Sequence, residues 1–257
     1  MVHELTETTV FNYAIPKCPL CGRQSSLSDG GLFYVEAPIV RKSVRKYYDA
    51  EDEESQNYIA CRCGLFYVSH YLTPPRIDRL YRMGEYRQAM NGETAGSSIA
   101  KDDRHNADMI TPIIFKHVPG AKSVLDVGCS SGALLRQVGQ HYRARMMGVE
   151  PNIYLREGLN MPNVGDISEL QEGDNYDLVI ISHVLEHLID PIGMLTIARQ
   201  HMTSSGRIFV QVPIMMPGLP HPLMFTDAAA VLLLVKAGFI VEYTDNKYHY
   251  SAIARPS

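Results

Sequence analysis

Two glycines and a carboxylate near the middle of the chain have the spacing of a nucleotide-binding site. Residues 124–135 read as a buried strand, a turn containing Gly128 and Gly132, and the start of a helix. Glycine lets the backbone turn sharply and approach a ligand closely, and open α/β sheets bind nucleotides at the carboxyl ends of their strands. Glu150 ends the next apolar segment, where an acidic residue is the usual partner of ribose hydroxyls. The pattern therefore predicts a ligand of the nucleotide type.

The turn does not fit the two most common nucleotide motifs. Its sequence, Gly-Cys-Ser-Ser-Gly, lacks the middle glycine of the dinucleotide pattern G-x-G-x-x-G, and the chain has no phosphate-binding G-x-x-x-x-G-K-[ST]. A better match comes from several segments in order: LDVGC at 125–129, GVEP at 148–151, YDLVI at 176–180, SHVLEHL at 182–188 and GRIFVQVP at 206–213. Together they closely resemble the class I S-adenosylmethionine-dependent methyltransferases, from about residue 122 to the end of the chain.

This resemblance implies an α/β fold with a Rossmann-like, seven-stranded, mostly parallel sheet whose last strand is antiparallel and whose helices lie on both faces. The alternation of apolar segments agrees with it. We predict strands near 122–128, 145–150, 163–165, 176–182, 206–212, 238–244 and 248–254. We predict helices near 132–143, 152–160, 190–203 and 226–237.

The resemblance also implies which residues hold S-adenosylmethionine. Asp126 and the backbone amides of the turn would hold the amino acid part, and Glu150 would accept from both ribose hydroxyls because a carboxylate has two acceptor oxygens. Asp166 would accept from the adenine amino group. The full set of predicted cofactor residues is Asp126, Gly128, Cys129, Ser130, Gly132, Glu150, Pro151, Asp166, Ile167 and Ser182.

Three histidines follow predicted strands and are candidates for proton transfer. His183 follows the fourth strand, and its imidazole suits a general base on an acceptor hydroxyl. His187 lies four residues later, and His221 follows the fifth strand, so both could reach the same crevice. Each has a structural alternative, and an acidic acceptor would need no base. Glu186 is expected to cap or pair locally.

Four cysteines near the N-terminus have the spacing of metal ligands. Cys18 and Cys21 form a C-x-x-C pair, Cys61 and Cys63 form a C-x-C pair, and a glycine follows each pair. Four thiolates would make a closed, tetrahedral, structural zinc site. The alternative is four reduced cysteines that pack as small hydrophobic residues. A cysteine module ahead of this kind of domain resembles a bacterial group of methyltransferases that act on sugars and other small metabolites.

The chain divides into three predicted parts: a zinc-ribbon-like module at 1–70, a helical linker or lid at 71–121, and a class I methyltransferase domain at 122–257. Within the middle part, a helix at 102–117 is expected to turn Met109, Ile110, Ile113 and Ile114 inward. A run of basic residues at 41–46 is followed by acidic residues at 49–54, which favours a solvated hairpin over a nucleic-acid patch.

Composition limits the class of partner. The chain has 257 residues, 46% of them apolar, which is enough for a sizeable core. Its net charge of −4 argues against a surface made mainly for nucleic acid. The polar N-terminus and the short apolar runs predict a cytoplasmic protein with no membrane partner, in which thiols stay reduced.

These observations predict an enzyme that transfers a methyl group to oxygen or carbon of a small acceptor, such as a sugar, a sugar nucleotide or a secondary metabolite. Two alternatives remain open: an RNA methyltransferase, and a non-catalytic, zinc-bearing interaction protein that binds the cofactor. The sequence does not predict the oligomeric state.

Overall fold

The computed structural model describes residues 13–24, 58–85, 87–88, 96–216, 221–247 and 249–257. The basic and acidic runs at 41–54 lie outside the described residues.

Twelve strands occur in the described residues and are numbered in chain order. They are β1 (Tyr13–Ala14), β2 (Tyr58–Ala60), β3 (Leu65–Val68), β4 (His70–Tyr71), β5 (Ser123–Val127), β6 (Arg145–Val149), β7 (Asn163–Val164), β8 (Tyr176–Ser182), β9 (Met202–Val212), β10 (Leu223–Phe225), β11 (Phe239–Asp245) and β12 (Tyr250–Pro256).

Seven of these strands form the central sheet, in the order β11-β12-β9-β8-β5-β6-β7. Val124 of β5 lies beside Leu178 on one side and Met146 on the other, in parallel register. Every residue of β5 is buried, as expected for a parallel strand covered on both faces. The last strand, β12, is antiparallel to both of its neighbours. The predicted seven-stranded, mostly parallel sheet is therefore confirmed.

Six α-helices accompany the strands. They are α1 (Pro74–Arg82), α2 (Ser97–His117), α3 (Ala133–Tyr142), α4 (Ile153–Glu157), α5 (Pro191–Gln200) and α6 (Asp227–Lys236) in the described part of the chain. None of the helices described is both long and apolar enough to cross a bilayer.

The helices pack on both faces of the sheet because successive strand residues point to opposite sides. Leu178 and Ile180 join one core with Ile110 of α2, whereas Val179 and Ile181 join another with α5 and α6. The predicted inward position of Met109 is wrong, because its side chain is 44% exposed. Helix α2 also begins at Ser97, earlier than predicted.

A small second sheet joins the cysteine-bearing segment to the C-terminal half. Strand β3 pairs with β2 on one side and with β10 on the other, with Leu65 opposite Phe225. The Thr226 hydroxyl donates to the Gly64 carbonyl at 3.0 Å, which fixes the same junction. The predicted first and third parts of the chain therefore share a sheet, so the cysteine segment is positioned by the residues that follow β9.

Candidate active site

A cleft of about 760 Å³ opens where strands β5, β6 and β8 end. The loops after these strands, helix α1 and the first half of α2 line it. All of the predicted cofactor residues except Gly132 line this one cleft, together with the three predicted histidines. Gly132 instead begins helix α3 with a φ of +73°, a left-handed conformation that favours glycine.

The turn after β5 is shaped by Gly128, whose φ is +77°. A side chain there would also collide with Val184. The amides of Gly128 and Cys129 both donate to the Val149 carbonyl, at 2.8 and 3.0 Å. These bonds tie the turn to β6, and contact of Gly128 and Cys129 with the cofactor stays a prediction. Both residues line the cleft.

Glu150 is a buried carboxylate held from both sides at the end of β6. Its Oε2 accepts from the Ser130 amide and its Oε1 from the Asn152 amide, both at 2.8 Å. Burial raises the pKa of this carboxyl, and the two amide hydrogen bonds oppose the rise. Each carboxylate oxygen has a second acceptor position, so the two amides orient Glu150 without exhausting its capacity to bind hydroxyls.

Two aspartates make the same end of the cleft acidic. Asp126 is 3% exposed, and burial raises its pKa to about 8, helped by the charges of Asp103 and Glu150. Asp103 comes from α2 and accepts from the Ser131 amide at 3.0 Å. A cationic ligand group would relieve the repulsion among these carboxylates. The sequence analysis missed Asp103 as a residue of this site.

The remaining polar residues predicted to bind the cofactor line the cleft and make local hydrogen bonds. Asp166 is exposed, and its Oδ1 accepts from the amide and the hydroxyl of Ser168 at 2.9 and 2.6 Å. It thereby caps a short 3₁₀ helix that begins with the buried Ile167. Ser182 donates to Gln211 Oε1 at 3.2 Å at the end of β8. Contact of these residues with a cofactor stays a prediction.

His183 follows β8 with a φ of +55°, a left-handed conformation that is unusual for a residue other than glycine. Its amide donates to the Gln211 carbonyl at 3.0 Å, which holds this backbone in place. The Nδ1 atom lies 3.3 Å from Glu186 Oε1, and the side chain is 32% exposed. Strained backbone often occurs at functional sites, and here it presents an imidazole to the cleft.

The other histidines gather around the same carboxylate. His187 Nδ1 lies 3.0 Å from the Tyr81 hydroxyl, and its ring centre is 4.7 Å from that of His221. His221 Nδ1 lies 3.0 Å from the Met216 carbonyl oxygen. His249, which the sequence analysis missed, packs edge-on against His183 with ring centres 4.7 Å apart.

Glu186 lies at the centre of this histidine cluster, defined as His183, His187, His221 and His249. It pairs with its sequence neighbours, as predicted, but its side chain is only 1% exposed. Burial opposes its ionisation, yet the imidazole of His183 at 3.3 Å and the charges of the nearby histidines lower its pKa. The cleft therefore has an acidic end at Glu150 and a histidine end at Glu186.

The four N-terminal cysteines come together although their pairs lie far apart in sequence. Cys18 Sγ is 3.6 Å from Cys63 Sγ, and Cys21 Sγ is 3.4 Å from Cys61 Sγ. A zinc ion with four sulfurs at about 2.3 Å would place them roughly 3.8 Å apart. Both following glycines have positive φ and close tight turns onto Cys18 and Cys61. The residues therefore fit a tetrahedral zinc ion, and the C-x-C spacing does not prevent it.

Comparison with known proteins identifies the class. Residues 99–237 match the model of a family described as "Methyltransferase domain". This match covers more than half of the chain, so the protein belongs to that family. The mostly parallel, seven-stranded sheet agrees with the predicted class I S-adenosylmethionine-dependent methyltransferase fold.

A curated relative is (S)-coclaurine N-methyltransferase from Thalictrum flavum subsp. glaucum, 25% identical over 155 residues. The match covers 52% of this chain and 43% of the relative, so the chain spans less than half of that protein's length.

Two solved structures share the fold. One is 1,6-didemethyltoxoflavin-N1-methyltransferase from Burkholderia thailandensis with bound 1,6-didemethyltoxoflavin and S-adenosylhomocysteine, at a TM-score of 0.59 and 16% identity over 81% of this chain and 97% of that one. The other is magnesium protoporphyrin IX methyltransferase from Synechocystis PCC 6803 with bound S-adenosylhomocysteine, at a TM-score of 0.52 and 17% identity over 71% and 99% of the two chains.

Proposed function

We propose that this protein transfers the methyl group of S-adenosylmethionine to a small-molecule acceptor. The observation that carries the proposal is Glu150, a buried carboxylate oriented by two backbone amides beside Asp126 in a single cleft. This arrangement suits a ligand that has a ribose and a cationic amino acid. The known relatives and fold neighbours named above are methyltransferases, which supports the same conclusion.

The cofactor would lie along the acidic end of the cleft. Glu150 would accept from the ribose hydroxyls through its unused acceptor positions. Asp126, with Asp103 nearby, would face the ammonium group, because opposite charges within a few ångströms favour each other. Asp166 would meet the adenine, and the methyl group would then point toward the histidine end.

The acceptor would occupy the histidine end, beside Tyr81 of α1 and Met216. The named relatives include enzymes of coclaurine and of a toxoflavin precursor, which supports a small acceptor. Both of those enzymes methylate nitrogen by name, whereas our prediction of oxygen or carbon rests on the histidines. An RNA acceptor is less favoured because the chain is acidic overall.

The chemistry would be an in-line displacement at the methyl carbon. An acceptor oxygen forms the new bond to carbon, the carbon–sulfur bond breaks, and its electron pair returns to sulfur. His183 would accept the hydroxyl proton at Nε2, because its Nδ1 faces Glu186 at 3.3 Å. Positioning the two reactants supplies much of the rate gain in such a reaction, up to about 7–11 kcal/mol in ideal cases.

A turnover assay tests this proposal. Cofactor with an isotopically labelled methyl group is incubated with the protein and a panel of sugars, sugar nucleotides, phenols and amines, and transfer of label is measured. A catalyst labels at least one acceptor and forms S-adenosylhomocysteine. Binding of the cofactor product without transfer to any acceptor would instead support a non-catalytic role, and salt-dependent labelling of RNA would support the RNA alternative.

Replacing His183 with asparagine is expected to slow turnover by about 10²–10⁴-fold, the usual contribution of a general base. Asparagine tolerates the left-handed backbone at this position, so the fold is retained. Affinity for S-adenosylhomocysteine, measured by calorimetry, should stay unchanged. His105→Ala is the matched control, since His105 is an exposed histidine of α2. A wild-type rate in His183→Asn would remove this residue as the base.

We also propose that the four cysteines bind one structural zinc ion. Purified protein should contain about one zinc per chain, as measured by elemental analysis. Cys18→Ser should lose this zinc and melt at a lower temperature, since structural zinc contributes directly to folding. Cys129→Ser is the control because Cys129 lies in the turn after β5. Zinc-free wild-type protein would leave the four cysteines as ordinary core.

A further inference from the structure

The buried carboxylate of Glu186 has no hydrogen-bond partner of good geometry on either oxygen. One ligand atom each from Glu186, His187 and His221 lie within 4.8 Å of one another. All three residues line the cleft at its histidine end. A buried carboxylate is costly unless it is paired or coordinates a metal. The ion pairs of Glu186 with His183 and His187 both involve Oε1, so the carboxylate can still take a further partner from the cleft.

The contacts of Nδ1 in His187 and His221 indicate that Nε2 is the nitrogen that would bind a metal. His221 Nδ1 faces the Met216 carbonyl at 3.0 Å, and a carbonyl only accepts, so this nitrogen carries the proton. His187 Nδ1 can donate to the Tyr81 hydroxyl at 3.0 Å in the same manner. With the proton on Nδ1, the lone pair of each imidazole lies on Nε2. Metal-binding histidines usually have their other ring nitrogen fixed in this way.

The distance between His187 and Glu186 suits two ligands of one metal ion better than it suits a direct hydrogen bond. His187 Nε2 lies 3.8 Å from Glu186 Oε1, too far for a hydrogen bond. Ligands that bind one zinc-like ion at about 2.1 Å in tetrahedral geometry are roughly 3.4 Å apart. The pair therefore needs only a small contraction to hold an ion, whereas a hydrogen bond would require a larger one.

We propose that Glu186, His187 and His221 bind a divalent first-row transition metal beside the site of methyl transfer. Two imidazoles and one carboxylate with open positions suit such ions, and imidazole disfavours magnesium and calcium. The open positions face the cleft. Given the function proposed above, on which this step rests, the acceptor would be a molecule whose reacting hydroxyl has a second oxygen close by, such as a vicinal diol or a hydroxy acid, so that both oxygens bind the ion.

The metal would acidify the acceptor hydroxyl, as bound metals acidify water. The hydroxyl proton passes to His183 Nε2, the metal-bound oxygen bonds to the methyl carbon, and the carbon–sulfur electron pair leaves with sulfur. No electron is gained or lost overall, so the step needs no oxidant or reductant. The metal would thus lower the pKa of the hydroxyl group whose proton His183 accepts.

Cobalt(II) added to the purified protein tests the site. Nitrogen and oxygen ligands give visible d–d absorption, whereas exchange into the cysteine site would add strong thiolate charge-transfer absorption in the near ultraviolet. We expect one equivalent to bind wild-type protein without the thiolate band. Glu186→Gln and His221→Ala should each weaken cobalt binding at least tenfold, and His105→Ala should leave it unchanged.

Affinity for S-adenosylhomocysteine is measured in the same samples. Wild-type affinity in Glu186→Gln and His221→Ala shows that both variants are folded, so their loss of cobalt then reports the site. The absence of visible absorption in wild type, or undiminished cobalt binding in both variants, would overturn the metal site while leaving the cofactor proposal standing. Failure of wild type to bind S-adenosylhomocysteine would instead overturn the proposed function.

Discussion

Replacing Glu150 with alanine is expected to weaken binding of S-adenosylhomocysteine by at least about 100-fold, because two hydrogen bonds to a charged group are worth roughly 1.5–3 kcal/mol each. The variant loses the acceptor for both ribose hydroxyls. It also frees the amides of Ser130 and Asn152, which Glu150 holds at 2.8 Å, so the turn loses its orientation. Isothermal titration calorimetry measures the affinity.

Two further variants separate the role of the carboxylate from a general effect on the fold. Glu150→Gln keeps one acceptor oxygen and should fall between wild type and Glu150→Ala. Glu157→Ala removes an exposed carboxylate from the neighbouring helix α4 and should bind as wild type does. Unchanged affinity in Glu150→Ala would contradict the ribose assignment.

Replacing Asp126 with asparagine is expected to remove most of the pH dependence of cofactor binding. The buried Asp126 has a pKa near 8 in the free protein, so at pH 7 it is mostly protonated. An ammonium group beside it favours the charged form, and binding therefore releases a proton. At pH values below 8, wild-type affinity should therefore increase as the pH is raised, by up to about tenfold per pH unit. Calorimetry in buffers of different ionisation enthalpy counts the released proton, which should be close to one.

The same substitution should stabilise the free protein. The pKa of Asp126 is raised in the folded state, so its contribution to stability is complete below about pH 4 and is lost as the pH rises through 8. Asparagine has no charge to bury. The melting temperature of Asp126→Asn should therefore exceed that of wild type at pH 8, by about 2–4 °C for each kcal/mol of stability gained. At pH 5 the two melting temperatures should be closer.

Asp103→Asn is the matched control for Asp126→Asn, because Asp103 is a half-buried carboxylate at the same end of the cleft. It should lower the pH dependence of binding far less. A wild-type pH profile and proton release in Asp126→Asn would contradict the placement of the ammonium group beside this aspartate.

The sequence predicted the elements of the sheet well because they depend on local patterns. The apolar run in β5 and the glycines after it are contiguous in the chain, and strand β8 has the bounds predicted for it, Tyr176–Ser182. Glu150 was placed correctly at the cleft for the same reason, since it ends an apolar strand. Strand β9 is longer than predicted, beginning at Met202, because residues 203–205 are polar and do not continue the apolar pattern.

Such local patterns do not predict contacts between distant segments of the chain. Nothing near Asp103 shows that α2 would bring it to the turn after β5, and nothing near Tyr81 shows that it would meet His187. Glu186 lies in a short 3₁₀ helix that packs against β10, and β10 is held in turn by its pairing with β3. The hydrogen bonds from the Gly128 and Cys129 amides to the Val149 carbonyl of the adjoining strand are likewise contacts that no local pattern predicts.

The central claim is that the cleft between Asp126 and Glu150 binds S-adenosylmethionine, and equilibrium dialysis with the labelled cofactor tests it most directly. We expect saturable binding of about one molecule per chain, displaced by S-adenosylhomocysteine and lost in Glu150→Ala. No retention of the cofactor at millimolar concentration, or equal retention by Glu150→Ala, would contradict the claim.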